Sequence, residues 1–121
     1  MWYTAHIIMA VEFEDPADQT SYPIWENITL VEADSEEEAW EKAERLGREE
    51  ETDGSDNFRW NKKPARWKFA GIRKLIECRS DEPDDRPTHG AEVSYSQMSV
   101  PDKESLSKLV QGKPVEVLYE E

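Results

Sequence analysis

Three observations in this 121-residue chain predict an α+β fold: a long period-two run at its start, a strongly capped helix opening near residue 35, and a return to strand-like alternation after residue 64. Read in sequence they give the order ββαββαβ. The expectation is a single domain over residues 1–121, an antiparallel sheet with two helices on one face.

Residues 2–14 predict the first strand, because the odd positions Tyr3, Ala5, Ile7, Met9, Val11 and Phe13 are all apolar. Pro16 and its small polar neighbours predict a loop over 15–21. Residues 22–33 predict a second strand, antiparallel to the first, with Tyr22, Ile24, Ile28 and Leu30 as its apolar row. The helix follows at once. Ser35 is its N-cap, Glu38 completes a capping box, and Glu36 to Glu38 suit the positive end of the helix dipole. Ala39, Trp40, Ala43 and Leu46 form the docking stripe, with Gly47 as a candidate stop and the stretch after Arg48 as a candidate extra turn.

The second half predicts a further strand pair: residues 65–78, alternating Trp67, Phe69 and Leu75 with Arg66, Lys68 and Lys74, and residues 91–100, with Ala91, Val93 and Tyr95 on one face. A polar loop, 79–90, joins them. Asp102 caps a short helix striped by Leu106, Leu109 and Val110, Gly112 ends it, and Val115, Val117 and Tyr119 form a last strand.

Composition narrows the function. The formal charge is −13, yet residues 58–79 hold eight basic side chains and one acid, Glu77, leaving that window at +7 and the remainder at −20. The longest apolar run has five residues, so no membrane span is expected, and the start has no secretory signal pattern. A single cysteine, Cys78, fits a reducing cytoplasm and reads as a small buried hydrophobe. Phosphate-loop, dinucleotide and nucleophile-elbow patterns are absent, and one cysteine with two distant histidines makes no zinc pattern. The acidic run at 81–85 lacks the ligand alternation and glycine of an EF-hand and reads as a solvated loop. No cofactor, metal or catalytic residue is expected.

Two interruptions carry more information. Glu26 breaks the row of Tyr22, Ile24, Ile28 and Leu30, and Arg73 breaks that of Trp67, Phe69 and Leu75. A lone buried charge is costly, so three readings stand: a Glu26–Arg73 pair, exposure at an edge, or a functional pocket that includes His6. A different chemistry is suggested by Arg59, Trp60, Lys62, Lys63 and Arg66. Their basic–aromatic interleaving suits single-stranded nucleic acid, although a chain of −13 repels a polyanion beyond the patch. The leading expectation is a non-enzymatic protein-binding module, in one form a homo-oligomer and in another an inhibitor whose acidic face mimics nucleic acid. Nucleic-acid binding and a small-ligand or enzyme site around His6, Glu26 and Arg73 are the alternatives.

The opening Trp2-Tyr3-Thr4-Ala5-His6, the Trp25-Glu26-Asn27 step, the helix opening at 33–39, the Pro64-Ala65-Arg66-Trp67-Lys68-Phe69-Ala70-Gly71-Ile72-Arg73-Lys74-Leu75 block and the closing 114–119 stretch together resemble a bacterial family, frequent in cyanobacteria, of small uncharacterised proteins. The resemblance to this domain-of-unknown-function family implies a stand-alone cytoplasmic domain of this size. It implies no catalytic residues.

Overall fold

The apolar alternation of the first strand becomes β1 (Trp2–Phe13), whose odd positions are buried throughout. In the computed structural model, which describes residues 1–83 and 86–120, β1 is the second strand of a four-stranded antiparallel sheet. Its neighbours are β2 (Ile24–Glu32) and β4 (Lys63–Cys78), and β3 (Arg59–Trp60) closes the far edge, giving the order β2-β1-β4-β3. The expected antiparallel pairing of the first two strands is present, in an unbroken register from Trp2 opposite Glu32 to Ala10 opposite Ile24.

Helix α1 (Glu36–Glu49) lies on the sheet face carrying the odd positions of β1. Ser35 caps it by accepting from the Glu38 amide at 3.1 Å, and the Glu38 carboxylate reaches back to the Asp34 amide at 3.3 Å. Its docking stripe is narrower than expected. Ala39, Ala43 and Gly47 are buried, whereas Trp40 and Leu46 are exposed. Gly47 does not stop the helix. A Cβ there would come within 2.4 Å of the Phe69 ring, so the absence of a side chain at Gly47 lets that ring of β4 pack against the helix. Helix geometry continues through Glu49.

β4 departs from simple alternation. Its pairing with β1 shifts between His6 and Ile7 and again between Ile8 and Met9. At the first shift Ile72 pairs with Ile7 and Lys74 with His6, so Arg73 is an extra residue. Such a bulge redirects a side chain, and Arg73 leaves the Trp67, Phe69 and Leu75 face for the opposite one, where it meets Glu26.

Strand partners in the second half of the chain differ from the expectation. The partner of β4 is β1, not residues 91–100. That stretch runs without strand pairing until β5 (Met98–Ser99), which pairs with β6 (Leu118–Tyr119), a shorter strand than expected. Between them α2 (Lys103–Val110) is capped by Asp102, which accepts from the Ser105 amide at 2.8 Å. The sheet bears α1, while α2 buries none of its residues. β3 was not foreseen; it joins β4 through Asn61 and Lys62, both at positive φ, the backbone of a tight hairpin turn. Of the acidic run at 81–85, Asp84 and Asp85 lie outside the described residues.

Candidate functional site

Opposite α1, the outer face of the sheet carries Thr4, His6 and Ile8 from β1 and Ile24, Glu26, Ile28 and Leu30 from β2, since cross-strand partners share a face. The second strand's apolar row therefore faces away from the α1 core. Ile24 is 57% exposed, Ile28 56% and Leu30 49%. The buried apolar residue of β2 is Val31, one position out of that row.

Glu26 is not solitary in this row. Its carboxylate takes the Arg73 guanidinium side-on, with Nε 2.5 Å from Oε2 and an Nη 3.0 Å from Oε1. Oε1 also lies 2.8 Å from His6 Nδ1. A carboxylate only accepts, so that nitrogen carries the hydrogen. The guanidinium bond, with the imidazole assisting, holds the Glu26 carboxyl below the usual carboxylate range against a partial desolvation that pushes the other way. The structure thus brings together Glu26, Arg73 and His6.

His6 is fully buried. Its Nε2 meets the Ser94 hydroxyl, Lys74 Nζ donates to the Tyr95 carbonyl, Arg73 reaches Ser96 at 3.4 Å, and Cys78 Sγ contacts the Val93 carbonyl at 3.4 Å. Residues 93–96 are in this way strapped across the outer face by four side chains of β1 and β4. Tyr95 and Tyr119 stack on Lys74 and Arg73, at 4.0 and 4.9 Å from their ring centroids. Ser94 was not singled out in the sequence, because nothing local to it signals a partner 88 positions away. The atom order Ser94–His6–Glu26 is that of a hydroxyl–imidazole–carboxylate relay. Here both Glu26 oxygens also serve Arg73, and the nearby cations Arg73 and Lys74 are bonded to Glu26 and the Tyr95 carbonyl. The arrangement fastens the strap.

The basic window lies mostly elsewhere, towards β3. Arg66 pairs with Glu12 across the sheet, Lys63 lies 3.8 Å from Asp18, and Lys68 is 3.5 Å from Glu51. Arg59 donates to the Lys62 carbonyl at 3.3 Å, and Lys62 is exposed in the hairpin turn. Trp60 packs edge-to-face on Trp25 at 5.6 Å, and Trp25 on Trp67 at 5.2 Å. The concavity that Arg59 and Arg66 help line is also walled by Glu12, Glu14 and Asp53. Much of the window's positive charge is answered within the fold.

The long β2 edge completes the picture. The Val11 amide donates to the Pro23 carbonyl and the Ala33 amide to the Met1 carbonyl, so odd positions of β2 point their backbone groups at β1. Even positions, from Ile24 to Leu30, point theirs outward along the sheet's terminal edge. The Glu32 carbonyl, at the end of that edge, is bonded by Lys42 Nζ at 2.8 Å.

Among the described residues no group of three or more His, Cys, Asp or Glu is placed to hold a metal ion, and no helix is long and apolar enough to cross a membrane. No curated protein and no solved structure shows detectable similarity to the chain. Residues 2–95, which include β1 to β4, α1 and the strap as far as Tyr95, match the model of a domain of unknown function, DUF4288. The chain belongs to the DUF4288 family.

Proposed function

We propose that this chain is a non-enzymatic protein-binding module of the cytoplasm that makes its contacts through the outer edge of β2. The observation that carries this reading is the coincidence, over residues 24–30, of outward-pointing backbone groups with the exposed side chains of Ile24, Ile28 and Leu30. An open edge offers main-chain hydrogen bonds to an added strand, and alternate apolar side chains beside it supply burial. About 25 cal/mol accrues per Å² of apolar surface so covered. The His6–Glu26–Arg73 network supports the reading by keeping the one acid of this stretch neutralised. Nucleic-acid binding through Arg59, Trp60, Lys62, Lys63 and Arg66 is less favoured, because Lys63 and Arg66 have carboxylate partners and Trp60 is packed on Trp25.

Amide exchange tests this. It is measured residue by residue on the free chain and on the complexes it forms, with itself or with proteins retained from a cell lysate. Slowed exchange at Ile24, Glu26, Ile28 and Leu30 in a complex is the expected result. Unchanged exchange at those four amides, or a chain that neither self-associates nor retains a protein, overturns the reading.

A further inference from the structure

Natural sheets protect their edges with short strands, lysines, prolines or bulges, because an open edge templates pairing with another chain. Residues 24–30 have none of these devices. The stretch has no lysine or proline, its register against β1 runs without a shift, and its one charged residue, Glu26, is held by Arg73 and His6. The charge of −13 belongs to the chain as a whole, whereas the one acid within 24–30 is paired with Arg73 and His6, so a second copy laid along this edge meets little like charge at the contact itself.

We propose that two copies of this chain pair antiparallel along β2 about a two-fold axis at Asn27, which joins their sheets into one. The inference rests on the edge reading above and names its occupant. With the axis at Asn27, Ile24 of one copy lies opposite Leu30 of the other and Glu26 opposite Ile28, each pair exchanging outward amide and carbonyl bonds in both directions. Trp25 lies opposite Thr29, and the two Asn27 side chains meet in the closely spaced, non-hydrogen-bonded position, where amides can bond one another. No carboxylate faces a carboxylate.

Neighbouring registers do worse. An axis at Glu26 opposes the two Glu26 residues directly, and like charges opposite one another destabilise a strand pair. An axis at Ile28 draws Glu32 into the ladder, where the Lys42 ammonium already holds its carbonyl. An axis at Thr29 also places Glu26 opposite Glu32. The axis at Asn27 uses all of 24–30 and stops short of that lysine. The resulting contact is self-complementary, as a two-fold interface requires. Both α1 helices then lie on one face of the joined sheet, and the Ile24, Ile28 and Leu30 rows of the two copies form a continuous outer strip.

Cysteine cross-linking reads the register. Asn27 is exposed, so Asn27→Cys is expected to fold and, under mild oxidation, to give mostly a reducible dimer, since non-hydrogen-bonded partners sit about 4.5 Å apart at Cα, within disulfide reach. Native Cys78 is buried against Thr4 and does not compete. Thr29→Cys is expected to stay monomeric on the same gel, because four positions along a strand separate its two copies by roughly 13 Å. Sedimentation of the native chain is expected to show a dimer, and Leu30→Glu to weaken it about a hundredfold. Cross-linking of Thr29→Cys in place of Asn27→Cys overturns the proposal by showing another register. A native chain that sediments as a monomer overturns it too. If a lysate protein nevertheless protects the amides of 24–30, the edge reading survives without the second copy; if nothing protects them, both fall.

Discussion

The two edges of the sheet are built on opposite plans. β3 is two residues long, turns tightly through Asn61 and Lys62, is followed by Lys63 and Pro64, and tucks Trp60 against Trp25. β2 is nine residues long, and its outward positions carry Ile24, Ile28 and Leu30. One edge is closed by length, charge and a half-buried ring. Among the described residues the other has no strand partner over residues 24–30, and its single charge is neutralised from β1 and β4. Evenly distributed protection would have marked both edges as solvent boundaries; its absence from β2 is what supports the proposed contact there.

The most direct way to break the contrast is to give β2 the protection that β3 already has. Ile28→Pro removes one outward amide and leaves the bonds to β1 in place, because the amide of Ile28 points away from that strand. Self-association measured by sedimentation is expected to fall about a hundredfold, roughly 2.8 kcal/mol, with the fold retained by circular dichroism. Arg73→Met comes next. It leaves Glu26 without its guanidinium on a face where its side chain is 18% exposed, and urea unfolding is expected to lose about 2 kcal/mol. The same pair sets a pH dependence. The Glu26 carboxyl is depressed in the folded state, so its contribution is complete above the ordinary carboxylate value and disappears as pH falls through the depressed one. In Arg73→Met the depression shrinks, so the acid-range loss is expected to be smaller and to be over at a higher pH, measured as urea midpoints across the acid range.

Trp60→Ala sharpens the comparison from the closed side. Loss of its edge-to-face contact is expected to cost about 1 kcal/mol in unfolding while self-association stays unchanged; a parallel drop in association would show that the two edges are coupled. The smallest effect expected is that of salt. Two copies of charge −13 repel, so raising ionic strength is expected to tighten the dimer severalfold in sedimentation. Tightening at low salt would point to an interface built on opposite charges.

The legible parts of the fold were those written in short-range pattern. The alternation of β1, the Ser35 and Asp102 caps and the antiparallel pairing with β2 all follow from a few adjacent residues. Less could be read where distant segments decide. Tyr22, Ile24, Ile28 and Leu30 have the period of a core-facing row, but the other face of the sheet received α1, so the row became surface. Gly47 has the composition of a helix stop and is a point of close approach instead, because the Phe69 ring occupies the space of its missing side chain. The stretch at 91–97 alternates like a strand and became a strap, held across the outer face by side chains of His6, Arg73, Lys74 and Cys78 rather than by strand pairing.

Glu26 and Arg73 mark the division most clearly. Each was conspicuous in sequence as a charge in an apolar row, and desolvation cost alone required that each find a partner or solvent. That much is a property of residue type and spacing. Which of these outcomes applied depended on the bulge in β4, which turned Arg73 onto the outer face, and on the register that set Glu26 beside His6. Sequence by itself determined the elements, their caps and the places where a charge needed an answer, because those follow from local period and solvation. Only the tertiary structure decided which sheet face was covered and which edge stayed open, because both depend on where segments tens of residues apart come to rest.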